Sequence, residues 1–297
     1  MRRGFRLVAV VLALAAAAGC NRLIESPTAP SPPPAPGPAG QSVYYTVIGA
    51  SDALGVGGSV VCAPFDLDCA NGTGYAQQIR RRLQQSGRTV QYRNLGIPGG
   101  VLSRAVQDLA QAIGREVLSN FIDQQAPFVP TGTTHVTIFA GGNDANTIGQ
   151  AVRAGRGGAD VRGFIDQQVR QWGNDYETLI QRVRERAPSA QIVVANLPNL
   201  GAAPYLAGSP AVERSIMQHI AVGLADRANA LASRGVIVVD LLCEPGIYLP
   251  ANFAPDGFHP SDAGYALMAD RLFPALVNGS APTPSASCPQ RALLPAY

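Results

Sequence analysis

The 297-residue chain has no lysine, only three histidines and one tryptophan, and no excess of charge once its first segment is set aside. Every one of its 23 basic residues is an arginine. Residues 1–19 hold Arg2, Arg3 and Arg6 and no acid, so the remainder balances 20 basic against 20 acidic residues. Such a chain lacks the positive field that nucleic acid selects, which excludes a nucleic-acid partner. The missing lysine reflects coding bias and carries no chemistry. No cluster of cysteine and histidine has metal-ligand spacing, which excludes a structural zinc site. Gly55-Val56-Gly57-Gly58 lacks the third glycine of a dinucleotide fingerprint, so neither metal nor cofactor is expected. The apolar run from Leu7 to Ala18 is too short to span about 30 Å of hydrocarbon. No internal repeat is visible.

That short run follows three arginines and ends in Gly19-Cys20, the layout of a secretion signal. Ala17-Ala18-Gly19-Cys20 resembles the lipobox of bacterial lipoproteins, which implies removal of residues 1–19 and lipidation of Cys20. With Asn21 beside it, the resemblance implies an exported protein anchored to the cell envelope, sorted to the outer membrane. Residues 25–41, within a tether spanning 20–41, are dominated by Pro, Ala, Ser and Gly. They cannot bury a core and form a semi-rigid tether reaching roughly 50 Å at about 3.1 Å per residue. Residues 42–297 then suit one α/β domain. Four further cysteines in an exported chain suggest two disulfides, and of three possible pairings Cys62–Cys69 and Cys243–Cys288 are favoured.

Short β-branched runs alternate with longer amphipathic stretches. The pattern predicts strands at Val43–Ile48, Val90–Asn94, His135–Phe139, Gln191–Ala195 and Val236–Leu241. It predicts helices at Tyr75–Gln85, Ser103–Val117, Val161–Arg186 and Ala211–Ala232, with a last one after Ser261. Strands separated by helices imply right-handed crossovers, hence a five-stranded parallel sheet with helices on both faces. Ile79, Leu83, Val106, Leu109 and Val183 recur at helical spacing and are core candidates. Arg80-Arg81-Arg82 reads as a solvated helix face.

Ligands of such sheets bind beyond the carboxyl ends of the strands. There the chain carries Gly49-Ala50-Ser51-Asp52, Asn94-Leu95-Gly96-Ile97-Pro98-Gly99-Gly100, Gly141-Gly142-Asn143-Asp144 and Asp256-Gly257-Phe258-His259. A serine hydroxyl is inert at neutral pH unless a positioned imidazole takes its proton, and that imidazole needs an orienting carboxylate. Asp256 and His259 supply both from one loop. His135 and His219 read as structural, as does Asn94 in the second loop, and Trp172 as core. A tetrahedral intermediate needs donors for its oxyanion, each contributing about 3–4 kcal/mol. The candidates are the backbone N–H groups of Ser51 and Gly99 and the side-chain amide of Asn143.

These four segments, with Pro260 after His259, occur in the order of the four motif blocks of the SGNH/GDSL hydrolases, which they resemble over nearly the whole domain. The resemblance implies Ser51 as nucleophile, Gly99 and Asn143 as oxyanion donors, Asp256 as orienter and His259 as base. It implies a three-layer flavodoxin-like α/β fold and a serine hydrolase cleaving carboxylic esters of small molecules, glycans or lipids. Ala50 stands where the family usually has aspartate, and Asp52 follows the serine.

Other readings stand beside this one. Acyl transfer to a glycan or lipid hydroxyl differs mainly in which acceptor outcompetes water. A non-catalytic envelope lipoprotein binding glycan or lipid has only Ala50 in its favour. The α/β-hydrolase elbow is nearly matched by Gly49-Ala50-Ser51-Asp52-Ala53. Against it, the serine follows the first strand, and Asp and His share a loop. The segment 53–71 is expected to wall the cleft, and 146–160 to act as a mobile lid.

Overall fold

The computed structural model describes residues 41–66 and 69–292. The signal segment, Cys20 and nearly all of the Pro-rich tether lie outside them. Five strands form the sheet: β1 (Ser42–Ile48), β2 (Thr89–Asn94), β3 (His135–Phe139), β4 (Gln191–Ala195) and β5 (Ile237–Val239). All pairings are parallel, in the order β2-β1-β3-β4-β5. That order is the flavodoxin-like arrangement, whose strand order reverses between β1 and β3. The central strands are apolar on both faces because helices cover both: Tyr45, Val47 and Ile48 of β1 are fully buried, as are Val136 and Ile138 of β3.

The helices are α1 (Ser51–Leu54), α2 (Tyr75–Gln85), α3 (Arg104–Gln111), α4 (Phe121–Gln124), α5 (Gly142–Arg153), α6 (Val161–Arg186), α7 (Ala211–Ala230) and α8 (Asp262–Asn278). Helices α2 and α8 pack together against one face of the sheet, while α3, α5, α6 and α7 pack among themselves in the other layer. Tyr75, Ile79 and Leu83, four residues apart, form the buried stripe of α2. Trp172 is buried and meets Tyr176 edge-on within α6, as expected of core.

Several boundaries differ from the sequence expectation, each for a physical reason. The strand expected at Val236–Leu241 pairs only over Ile237–Val239. Beyond it the N–H groups of Leu241 and Leu242 donate to Asn196 Oδ1, a buried side chain that takes the place of a neighbouring strand. The helix expected at Ser103–Val117 ends at Gln111, and Gly114 turns at a φ of 73°. The arginine run is not simply solvated. Arg80 stacks over Tyr92, Arg81 donates to the carbonyls of Ala70 and Gly72, and Arg82 pairs with Asp270 at 2.6 Å.

Both favoured disulfides are formed, Cys62–Cys69 and Cys243–Cys288. Such bridges belong to chains that fold outside the reducing cytoplasm. Among the described residues no helix is long and apolar enough to cross a membrane. Cys243–Cys288 ties the tail across 45 residues of sequence. Loop closure of that length contributes about 4 kcal/mol, so Cys243→Ala/Cys288→Ala should lower the Tm by roughly 10 °C. Calorimetry showing a shift under about 2 °C would contradict this.

Candidate active site

Ser51 begins α1 immediately beyond the carboxyl end of β1, so its N–H has no intrahelical partner. The bend before it is clamped by a buried side chain that the sequence did not mark. Gln125 Oε1 accepts from Gly49 N at 3.0 Å, and its Nε2 donates to Gly49 O at 2.9 Å. Asn94 ties the second loop to α1: Oδ1 accepts from Gly96 N at 3.0 Å and Nδ2 donates to Ala53 O at 2.6 Å. This is the structural role expected of it.

Beyond β5, Asp256 Oδ1 accepts from the N–H groups of Phe258 and His259, both at 2.9 Å. These bonds curl the loop so that Asp256 Oδ2 meets His259 Nδ1 at 2.6 Å, while His259 Nε2 lies 2.9 Å from Ser51 Oγ. The tautomer follows. An ionised carboxylate only accepts, so Nδ1 carries the hydrogen, Nε2 is the acceptor and the serine hydroxyl donates to it. Burial pushes the Asp256 carboxyl up, but the bonds from His259 and the two backbone N–H groups outweigh it and hold the group below its usual range. Gly57 stands against this imidazole at a φ of 95°; a Cβ there would lie 2.7 Å from His259 Cβ.

Two further segments complete the edge. Gly99 adopts a φ of 73°, a conformation glycine holds without strain. Its N–H donates to no acceptor among the described residues, whereas that of Gly100 is taken by Ile97 O. Asn143 lies in the first turn of α5, and its Nδ2 donates to Gly100 O at 3.0 Å. Ser51, Asp52, Gly100, Asn143, Phe139 and Phe258 are among the residues lining one small pocket. The structure therefore brings Ser51, Asn143, Asp256 and His259 to one edge with the Gly99 loop. His135 and His219 lie elsewhere, bonded to Thr134 Oγ1 and Asp166 Oδ1.

Behind Phe258 lies a second, apolar cavity of about 50 Å³, lined by Leu197, Ile247, Phe253 and Met268 among others. Phe258 packs edge-on against both Tyr205 and His259 and forms a wall of both spaces. Asp52 borders both as well, and burial pushes its carboxyl up against the opposing pull of His259. Of the segment 53–71, expected to wall the cleft, Gly57 stands beside His259. None of the described residues of 53–71 lines the Ser51 pocket; that loop packs on α8 through Ser59 N to Asp262 Oδ1 and Tyr265 Oη to Val56 O. Residues 146–153, expected in a mobile lid, belong to α5.

Asp144 is fully buried, accepting from Leu102 N at 2.8 Å through Oδ1, while Oδ2 makes no hydrogen bond of ordinary geometry among the described residues and has the Trp172 indole N–H nearby. Burial raises its carboxyl to about 6, against the N–H groups of Leu102 and Trp172 and the nearby Arg115 charge. A raised value means the fold favours the protonated form. The cost is absent below the ordinary value of 3.8, grows as pH rises towards 6 and is constant above. Asp144→Asn, which keeps the acceptor for Leu102, should gain about 3 kcal/mol at pH 8 relative to pH 3.5. Urea unfolding at the two pH values checks this, and an equal effect at both would contradict it.

Comparison with known proteins bears on the family and the fold. The family model described as "GDSL-like Lipase/Acylhydrolase family" matches residues 47–267. A lipase from a goat rumen metagenome superimposes with a TM-score of 0.53 at 16% identity, over 77% of this chain and 95% of its own, and shows the same fold. An extracellular lipase from Streptomyces rimosus gives a TM-score of 0.49 at 21% identity, over 80% of this chain and 99% of its own. A search of curated protein sequences found no match.

Proposed function

Because the chain belongs to the GDSL-like lipase/acylhydrolase family and is thus a serine hydrolase of carboxylic esters, we propose that Ser51 is its nucleophile, His259 the base and Asp256 the orienter. The supporting observation is the unbroken chain from Asp256 Oδ2 to His259 Nδ1 and from Nε2 to Ser51 Oγ, at 2.6 and 2.9 Å. Ser51 attacks the acyl carbon as His259 Nε2 takes its proton. The tetrahedral oxyanion is held by the N–H groups of Ser51 and Gly99 and the Asn143 amide. His259 returns the proton to the departing alcohol, and water then repeats the sequence on the acyl-enzyme.

Mixing the protein with p-nitrophenyl acetate should release a stoichiometric burst of p-nitrophenolate before steady turnover. Absence of both burst and turnover, with short- and medium-chain esters alike, would overturn the assignment.

The exported character of the domain, which rests on its disulfides, extends in this reading to the envelope. Cys20 carries the lipid, and residues 20–41 hold the domain off the membrane. The support is the sequence Ala17-Ala18-Gly19-Cys20 followed by the Pro-rich stretch. Replacing Cys20 with alanine should release the protein from the membrane fraction, and unchanged sedimentation with membranes would contradict the anchor.

A further inference from the structure

Arg115 lies in the connector after α3, 28 residues before Asn143, and nothing in the sequence singles it out. Its guanidinium reaches three acceptors on the first two turns of α5: Nη1 donates to Asn143 O at 3.2 Å and to Thr147 Oγ1 at 2.7 Å, and Nη2 lies 3.4 Å from Asn143 Oδ1. Thr147 Oγ1 donates in turn to Asn143 O at 2.8 Å, closing the cluster. We propose that Arg115 is a positioning residue for ester hydrolysis, orienting the Asn143 amide and strengthening it as an oxyanion donor. The proposal rests on the role given to Asn143 above.

Orientation comes first. A guanidinium can only donate, so the amide end facing Arg115 must be the oxygen. The NH₂ end is thereby turned the other way, where one hydrogen goes to Gly100 O and the second is left for the pocket shared with Ser51. Without the arginine, only the Gly100 carbonyl still opposes the flipped orientation, and a flipped amide would present its oxygen to the developing oxyanion.

Charge comes second. Arg115 is half-buried, and burial lowers its affinity for the proton it carries, although the nearby Asp144 carboxyl opposes this. Among the described residues no carboxylate lies within salt-bridge distance of it; its three partners are neutral oxygens. The cation therefore acts through the amide. A donor to the carbonyl end of an amide polarises it and makes its N–H a stronger donor, and the gain grows when the donor is charged. Negative charge appears on the far side of that amide only during the reaction, so the benefit falls on the transition state.

A double-mutant cycle on p-nitrophenyl acetate tests this, using Arg115→Met, Arg115→Lys and Asn143→Ala. Arg115→Met should lower kcat about tenfold with KM changed less than about twofold, since the lost interaction forms only in the transition state. Arg115→Lys keeps the charge without the planar fork and should fall between the two. In the Asn143→Ala background Arg115→Met should cost less than about twofold. An equal factor in both backgrounds, or a rise in KM at constant kcat, overturns the proposal. If Arg115→Met does not fold, Arg115→Lys in both backgrounds carries the same cycle. The side-chain amide resonance of Asn143 gives a readout independent of activity: it should move in either Arg115 variant, and an unmoved resonance also overturns the proposal. A moved resonance in a protein that turns over no ester would uphold the positioning and instead refute the catalytic reading of the site.

Discussion

Ser51→Ala is expected to cut kcat for p-nitrophenyl acetate by about 10⁴-fold or more while leaving the fold intact. The two halves of that expectation have separate causes. Ser51 is 6% exposed at the start of α1, and among the described residues its hydroxyl bonds only to His259 Nε2. Alanine fits the same backbone, and the lost hydrogen bond is worth about 1 kcal/mol, so the Tm should hardly move. The reaction, however, loses the atom that forms the acyl-enzyme. Hydrolysis must then proceed by direct attack of water, aided only by the oxyanion donors and binding. A variant that stays folded and keeps wild-type turnover would show that another group carries the acyl chain.

Asp256→Asn should lower kcat by about 10³- to 10⁴-fold through the tautomer of its neighbour. Asparagine Oδ1 still accepts from the N–H groups of Phe258 and His259, so the loop keeps its shape. Its other end becomes an NH₂ group that donates to His259 Nδ1. The imidazole hydrogen moves to Nε2, facing Ser51 as a donor, and the serine proton loses its acceptor. Acid does not mimic this change at mild pH. The Asp256 carboxyl is held below its usual range, so its ionised form persists until pH falls through that lowered value. A loss under about tenfold would mean that the imidazole is oriented by something other than this carboxylate.

How much of this was legible in the amino-acid order depended on whether the cause was local. The bounds of β3, β4, α2 and α6 agree with the sequence pattern because apolar runs there are bracketed by turn residues and caps, as where Asp160 accepts from Gly163 N at the start of α6. The coming together of Ser51, Asn143, Asp256 and His259 was also legible, since parallel strands bring their carboxyl ends to one edge whatever the loops contain. Helix α5 was not. Gly141-Gly142-Asn143-Asp144 reads as a site segment beyond a strand end and the stretch 146–160 as a mobile lid, with no helix expected in either. The residues become helical because Ala145, Ile148 and Ala151 are buried against the neighbouring helices, a tertiary effect. Gln125 and Arg115 escaped notice for the same reason. Their partners, Gly49 and Asn143, lie 76 and 28 residues away and match no motif. The shortening of β5 likewise depends on Asn196, 45 residues before Leu241.

The claim on which the mechanism turns is that the imidazole of residue 259 activates the hydroxyl of residue 51. Treating the folded domain with a fluorophosphonate and sequencing the modified peptide by mass spectrometry tests this directly. The adduct should sit on Ser51, and its rate of formation should fall by at least about 10²-fold in His259→Ala. Modification of a different serine, or labelling of Ser51 at the same rate without the imidazole, would contradict the account.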